Sequence, residues 1–400
     1  MLKEKIQALP SPLLGMIVFL ILLEVPSWLI VRYMDFGLGT NADRHLYSPY
    51  RTHELNPDYQ REWDTQGKKI HNRNGFRRDN SVEKRKASNV IRVIAMGTST
   101  LYGIGVQHAH HYPLFPTLKN SETIPYFLEQ FLNERLMKEG STWRIEIINA
   151  AVTAYQTFGN VTYVLESLYE YNPDIVIFVE GHNDFYATRA SNQYLNYTYG
   201  AVPLIAAIND GSPLAGLFTL SKWLGKYSHF FKLLEKVSEK GIESYASTGK
   251  RKEAEQESWP DFDYFEYAKD AFMRSYFLLK QLGKLYDFQI SVFLQPEVLL
   301  EDAALLSPHD RSIFDTTLKL SEEKRRLKMK DRVAQLPKLF SQYEVPFFNT
   351  SQLAGEVNGK KDLYIDYCHL TPAGSQQAAK NIFPYLEKMI RARIRRQSRQ

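Results

Sequence analysis

Short apolar runs, separated by longer stretches with helical periodicity, constrain the fold of this chain most. Five of these runs predict buried strands: residues 90–96, Arg144–Asn149, 174–179, Gln289–Leu294 and 345–349. Residues 121–139 carry apolar side chains on one helical stripe, and residues 157–171 predict a second helix. Strands that alternate with helices pair in parallel, with helices on both faces of the sheet. We therefore expect a three-layer α/β/α fold whose ligands bind beyond the carboxyl ends of the strands.

Near the start of the chain, residues 13–31 are almost entirely apolar and contain one charge, Glu24. As a helix, this stretch would span ~28 Å, about one hydrocarbon core. Lys3 and Lys5 precede it, Arg32 follows it, and no small-residue cleavage site comes after it. These features favour an uncleaved single-pass membrane anchor over a signal peptide. The two lysines favour a cytoplasmic N-terminus, with the large domain on the extracytoplasmic side.

The sequence divides into three parts: an anchor at residues 1–34, a polar connecting arm at residues 35–88 and an α/β domain at residues 89–400. An insertion at about residues 187–260 interrupts the alternation of strands and helices. It contains one predicted helix at residues 214–237 and a polar loop near residues 247–256. A lid over the site and plain packing of an extra helix both remain open as interpretations of the insertion.

The net charge of +5 comes from the end of the chain, because six of the 50 basic residues lie in residues 388–399, where there is no acid. The remaining 44 basic residues balance 45 acidic ones, so a nucleic-acid-binding face over the domain is not supported. We interpret the basic run as a solvated, frayed helix end rather than a membrane contact. The oligomeric state cannot be predicted from these patterns.

The sequence predicts neither a metal nor a cofactor. Cys368 is the single cysteine, which excludes an internal disulfide framework and a cysteine-based metal cluster. His108, His110 and His111 lie close together, but no carboxylate cluster or helical histidine pair accompanies them, so a loop is the better interpretation. The glycine pair at residues 103 and 105 lacks the third glycine of a dinucleotide site.

Residues suited to acyl transfer lie in three separate stretches of the chain. Ser99 lies in a glycine-flanked turn after the first strand, where a nucleophile is exposed. Asn183 follows the third strand and can donate a hydrogen bond to an oxyanion. Asp366 and His369 are three residues apart, just before a helix that begins near Pro372, so the carboxylate can orient the imidazole. Each signal is weak alone; the combination at one sheet edge is what favours a serine hydrolase.

This combination resembles the SGNH, or GDSL-type, hydrolase family over residues 90–390, and the resemblance implies a flavodoxin-like three-layer fold. The Gly-x-Asn-Asp block is complete at residues 181–184, and the Asp-x-x-His block with its Leu-Thr-Pro-x-Gly extension is complete at residues 366–374. The first block reads Gly-Thr-Ser, with Thr98 where the family has Asp. The second block has Ala151 and Ala154 where the family has Gly.

The resemblance implies roles for specific residues. Ser99 would be the nucleophile, His369 the general base and Asp366 its orienting acid. The backbone N–H groups of Ser99 and Ala154 and the side-chain amide of Asn183 would form the oxyanion hole. The implied substrate is a small acyl ester or an O-acetylated carbohydrate.

Two alternatives remain beside the esterase. The same residues could transfer the acyl group to an envelope polysaccharide, as an O-acyltransferase. A catalytically inactive binding or scaffold protein of the same fold is the other alternative, motivated by Thr98 and Ala154.

Overall fold

The computed structural model describes these parts of the chain: residue 19 and residues 21–30, 44–48, 50–57, 59, 70–104, 118–185, 213–225, 227–235, 237–238, 264–321 and 323–399. His108, His110, His111 and the predicted loop near residues 247–256 lie outside these ranges. The chain divides into two compact units. The smaller unit comprises residues 1–43, 110–114 and 198–262, and the larger one comprises residues 44–109, 115–197 and 263–400.

A parallel five-stranded sheet forms the centre of the larger unit, as the sequence predicts. After a short antiparallel hairpin of β1 (His45–Ser48) and β2 (Thr52–Leu55), its strands are β3 (Val90–Gly97), β4 (Arg144–Asn149), β5 (Ile175–Glu180), β6 (Gln289–Leu294) and β7 (Phe347–Asn349). Their order across the sheet is β4-β3-β5-β6-β7. This is the doubly wound order in which ligands bind where the chain changes direction, at the carboxyl ends of β3 and β5.

The helices are α1 (Ser99–Tyr102), α2 (Ile124–Lys138), α3 (Thr157–Glu166), α4 (His182–Phe185), α5 (Pro213–Leu224), α6 (Tyr264–Tyr286), α7 (Pro308–Ser321), α8 (Glu323–Gln342), α9 (Ala354–Val357) and α10 (Pro372–Gln397). Within the larger unit, α2 packs on α10 and α3 packs on α6. The connection through α2 leads from β3 to β4 and the connection through α3 leads back across to β5. Right-handed crossovers in opposite directions place their helices on opposite faces of the sheet.

The predicted helix at residues 157–171 is shorter than expected. It ends as α3 at Glu166, and a turn of 3₁₀ helix, Leu168–Tyr171, follows. Ser167 leaves the helical conformation at φ −149°, and Asn172 then ends the segment in the left-handed region at φ 51°. The apolar pattern runs through this break because both pieces face the core, so periodicity alone does not reveal it.

The basic end of the chain is not a frayed helix. The helix α10 extends to Gln397, and Arg393 within it is buried. Its guanidinium pairs with the buried carboxylate of Asp174, 3.0 Å away, at the start of β5. Arg391 pairs with Glu139 at the end of α2. Part of the basic run therefore attaches the last helix to the sheet and to α2.

In the smaller unit, residues 21–30 of the predicted anchor are helical, whereas residues 13–18, 20 and 31 lie outside the described ranges. Within the described part of the chain, no helix combines the length and the apolar character needed to cross a membrane. The predicted helix at residues 214–237 is two helical segments, because α5 ends at a turn at Gly225 and helical structure resumes after Ser228. Glu24 accepts hydrogen bonds from the Ser228 hydroxyl (2.6 Å) and the Phe230 N–H (3.2 Å), at the start of the second segment.

Candidate active site

Ser99 lies at the carboxyl end of β3, where the chain turns sharply into the four-residue helix α1. The turn requires glycine at position 97, because a Cβ there would lie 2.6 Å from the carbonyl oxygen of Val179 on the neighbouring strand. Gly103 ends α1 in the left-handed region at φ 87°. The tight packing of this turn leaves the Ser99 side chain half-buried at the sheet edge.

The structure brings Ser99, His369 and Asp366 into one hydrogen-bonded chain. His369 Nε2 lies 2.8 Å from Ser99 Oγ, and His369 Nδ1 lies 2.7 Å from Asp366 Oδ2. A carboxylate oxygen accepts, so Nδ1 carries the ring hydrogen and Nε2 presents its lone pair to the serine. The arrangement can remove a proton from Ser99 and keep the resulting imidazolium beside a negative charge.

Asp366 is held in its ionised form. Burial opposes ionisation, but the hydrogen bond and charge of His369 and two backbone N–H groups outweigh it, so the pKa of Asp366 lies below its usual value. The N–H groups of Cys368 and His369 lie 2.9 and 2.8 Å from Asp366 Oδ1. This turn of chain between the two residues fixes the carboxylate and the ring in one geometry.

Thr98, directly before Ser99, is buried and belongs to a polar network behind the serine. Its hydroxyl donates to Gln295 Oε1 at 3.4 Å, and Gln295 Nε2 donates to the Thr100 hydroxyl at 3.1 Å. The Thr100 hydroxyl in turn donates to the carbonyl oxygen of Cys368 at 3.1 Å. The network therefore links the turn at Ser99, the end of β6 and the loop that carries His369.

Ala154 lies in the loop after β4 and adopts a left-handed conformation, with φ 67°. Glycine adopts this backbone conformation without strain, whereas alanine adopts it at a cost in free energy. Asn149 ties the loop to the serine turn: its side chain donates to Leu101 O (3.1 Å) and accepts from the Ala151 N–H (3.2 Å). Among the residues that the structure describes, none accepts a hydrogen bond from the N–H groups of Ser99 or Ala154.

Asn183 is the second residue of α4, directly after β5. Its Nδ2 donates to the main-chain carbonyl oxygen of Tyr155 at 2.7 Å, and the main-chain carbonyl oxygen of Asn183 accepts from Gln156 Nε2 at 3.2 Å. These bonds join Asn183 to the loop that carries Ala154. An amide nitrogen has two hydrogens, so one remains for a further acceptor once Tyr155 is satisfied.

A second histidine–carboxylate pair lies beside the first and was not singled out from the sequence. His182 Nδ1 lies 2.8 Å from Glu297 Oε2, and Glu297 is buried. Burial raises the pKa of Glu297, while the neighbouring His182 lowers it. Gln295 and Glu297 both follow the predicted strand Gln289–Leu294, so the rule that polar residues after a strand reach the site would have found them.

Among the residues that the structure describes, two groups of side chains are close enough to share a metal ion: His182, Glu297 and Cys368, and Asp366, Cys368 and His369. Both groups depend on the Cys368 thiol. Burial raises the pKa of this thiol well above its usual value, whereas a metal binds the thiolate. The remaining donors already hold each other in the two histidine–carboxylate pairs. The residues therefore fit a hydrogen-bonded site better than a metal centre.

The sequence matches no family model and no curated protein. Among solved structures, the chain is similar to the acetyl xylan esterase AlAXEase, with a TM-score of 0.37 and 12% identity, covering 74% of this chain and 99% of that one. It is also similar to Axe2, an acetylxylan esterase from Geobacillus stearothermophilus, with a TM-score of 0.37 and 11% identity over 74% of this chain and 93% of that one. A third similar structure is described as a GDSL-like lipase from Parabacteroides merdae, with a TM-score of 0.36, 11% identity, and coverage of 75% and 96%.

Proposed function

We propose that this chain is a serine esterase that cleaves a small acyl ester through an acyl-serine intermediate. The observation that carries the proposal is the unbroken chain of hydrogen bonds from Ser99 Oγ to His369 Nε2 (2.8 Å) and from His369 Nδ1 to Asp366 (2.7 Å). This order of groups is the one that activates a hydroxyl for attack on a carbonyl carbon.

In the proposed first step, Ser99 Oγ attacks the ester carbonyl carbon while its proton passes to His369 Nε2. Asp366 stays ionised and stabilises the imidazolium, in keeping with the lowered pKa of its carboxyl group. As the tetrahedral intermediate collapses, the ester C–O bond breaks and His369 returns the proton to the leaving alcohol. The acyl group remains on Ser99.

The developing oxyanion needs donors, and three are proposed: the N–H groups of Ser99 and Ala154 and the Nδ2 group of Asn183. The two backbone groups have no acceptor among the described residues, so they are available to a ligand. Preorganised donors of this kind favour the transition state over the substrate. Removing the Asn183 amide should therefore lower kcat by about 10²–10³ with a small effect on KM.

Water then attacks the acyl-serine, with His369 as general base, and releases the carboxylic acid. On the motif resemblance, the proposed substrates are small acyl esters, including O-acetylated carbohydrate. Release of free acetate from an acetyl ester would support hydrolysis. Acetylation of an added glycan without release of acetate would instead favour the O-acyltransferase.

The decisive experiment is covalent labelling with a fluorophosphonate probe, combined with hydrolysis of p-nitrophenyl esters of graded chain length. We expect the wild-type chain to label and to hydrolyse the short esters, and Ser99→Ala to do neither. The matched control is Ser398→Ala, which changes an exposed serine on the C-terminal segment and should behave as wild type. Equal labelling of Ser99→Ala and wild type would remove the nucleophile assignment, and no labelling of either would favour the inactive scaffold.

We also propose that residues 13–31 anchor the chain in a membrane, with the larger unit on the extracytoplasmic side. The apolar run in the sequence supports the anchor, and Lys3 and Lys5 support the orientation. The full-length chain should stay in the membrane fraction after alkaline carbonate extraction, and deletion of residues 1–34 should release it. Protease added to right-side-out membranes should digest the larger unit; protection of that unit would overturn the orientation.

A further inference from the structure

The N-terminal hairpin contacts the peptide group that carries the Ala154 N–H. His53, on β2, places its ring Nε2 2.9 Å from the carbonyl oxygen of Thr153. A carbonyl oxygen can only accept, so Nε2 carries the hydrogen and His53 is the donor. Burial lowers the pKa of His53, which keeps the ring neutral at neutral pH. The hydrogen bond therefore joins a neutral imidazole to the loop that carries Ala154.

Further contacts hold the same loop against the hairpin. His45, on β1, places its Nε2 2.8 Å from the hydroxyl of Thr153. The Tyr155 hydroxyl donates to the carbonyl oxygen of His53 and accepts from Arg51 at 3.2 Å. The rings of His53 and Tyr155 meet edge to face, with centroids 5.0 Å apart. The residues on both sides of Ala154 are thus fixed by the hairpin.

Because of the geometry of the peptide bond, the contact between His53 and the Thr153 carbonyl also restricts the orientation of the Ala154 N–H. The C=O of Thr153 and the N–H of Ala154 belong to one planar peptide group, and in a trans peptide they point in opposite directions. A donor that holds the carbonyl therefore also sets the direction of the N–H. Hydrogen bonds in series polarise one another, so a bond at the carbonyl also makes the N–H a stronger donor.

We propose that His53 is a positioning residue of the oxyanion hole: through the Thr153 carbonyl it orients and polarises the Ala154 N–H. The hairpin of β1 and β2 then contributes to the active site, although it precedes every strand of the parallel sheet in sequence. The role is consistent with the left-handed conformation of Ala154, which a free loop would readily leave. The inference rests on the proposed esterase function.

The test compares substitutions of His53 that keep or remove the donor. Gln can place an amide N–H near the position of Nε2, whereas Phe fills the ring's space without a donor. We expect His53→Phe to lower kcat by about 10–100-fold with KM nearly unchanged, less than the loss of a whole donor. We expect His53→Gln to remain within about threefold of wild type. Leu46→Ala, an exposed position on β1, is the hairpin control and should leave turnover unchanged.

Two readouts separate positioning from loss of fold. Turnover is divided by the number of sites that the fluorophosphonate labels, so unfolded protein is not counted. Affinity for 1,1,1-trifluoroacetone, which forms an anionic hemiketal with the serine, should fall in His53→Phe by the same factor as kcat/KM. If His53→Phe does not fold, His53→Met replaces it as the variant without a donor.

The inference is overturned if the folded variant without a donor turns over within twofold of wild type per labelled site. It is also overturned if folded His53→Gln is as slow as His53→Phe. In either case wild-type labelling at Ser99 leaves the esterase proposal intact. If the wild-type chain neither labels nor hydrolyses esters, the esterase proposal fails, and the role of His53 fails with it.

Discussion

At the scale of the residue, Ala154 combines a side chain and a backbone conformation that disfavour each other. Its φ of 67° costs an L-residue ~1 kcal/mol or more, and its side chain is exposed, so no core packing compensates. The strain is held by the neighbours of Ala154, since Thr153 and Tyr155 are both hydrogen-bonded to the hairpin. Strain that the surroundings maintain is often associated with a functional site.

Substitution of Ala154 by glycine should therefore be tolerated. Relief of the left-handed strain offsets the larger entropy of the unfolded chain, so we expect Ala154→Gly to leave the free energy of unfolding unchanged or to raise it by up to ~1 kcal/mol. The matched control is Ala392→Gly, an exposed position within α10, which should lose ~1 kcal/mol. Urea denaturation measures both variants. An equal loss in the two variants would contradict the strained conformation of Ala154.

At the scale of the element, the turn from β3 into α1 depends on close contact between two backbones. Gly97 faces the Val179 carbonyl on β5 at a distance that no Cβ can occupy. The same strand end carries Thr98, whose hydroxyl contacts Gln295 after β6. Three adjacent strands thus determine where the serine lies, which gives the site a rigid support.

Gly97→Ala should destabilise the chain by ~1–3 kcal/mol or more, because the new methyl group meets backbone rather than a movable side chain. Gly355→Ala, within α9, is the control: apart from the adjacent residues and the backbone of its own helix, no atom lies within 4 Å of its added Cβ, and alanine favours the helix by up to ~1 kcal/mol. Thermal and urea unfolding compare the two variants. Equal stability of Gly97→Ala and wild type would show that the two strands can separate at this turn.

The strands and helices also show which parts of the fold could be predicted from the sequence. Arg144–Asn149 and Gln289–Leu294 were predicted with their exact bounds, because continuous apolar runs between polar turns define buried strands well. The predicted helices at residues 157–171 and 214–237 were too long, since local turns at Ser167 and Gly225 interrupt patterns that stay apolar. No pattern in the sequence indicated that His53 and His45 contact the site. They lie in a polar arm without periodicity, and their contacts with Thr153 cross about a hundred residues of chain.

At the scale of the whole molecule, two carboxyl groups at the end of β5 are buried in the larger unit. Glu180 accepts hydrogen bonds from the Thr157 hydroxyl (2.9 Å) and from Asn160 (2.6 Å), and Asp184 accepts from the Thr157 N–H (3.1 Å). Burial raises the pKa of both groups, and the charge of Asp184 adds to the shift of Glu180. Because these pKa values differ between the folded and the unfolded chain, the free energy of unfolding depends on pH.

The pH dependence of stability that Glu180 and Asp184 cause is opposite in sign to the one that Asp366 causes. A carboxyl group whose pKa is raised in the folded chain stabilises the fold fully below about pH 4, which is near its pKa in the unfolded chain. This stabilisation is lost as the pH rises towards neutrality. The lowered pKa of Asp366 instead stabilises the fold above about 4, and this contribution is lost as the pH falls through the folded-state value.

Asp184→Asn should therefore gain stability relative to wild type as the pH rises. The amide keeps the acceptor for the Thr157 N–H but carries no charge to desolvate. We expect the difference in unfolding free energy between Asp184→Asn and wild type to grow in favour of the variant between pH 4 and 8, as measured by urea denaturation at a series of pH values. Asp366→Asn should show the opposite trend at lower pH: its loss of stability relative to wild type should be complete above about pH 5 and should shrink as the pH falls below about 4. A difference that stays constant between pH 4 and 8 for Asp184→Asn, or below pH 4 for Asp366→Asn, would mean that the carboxyl group concerned has no shifted pKa in the folded chain.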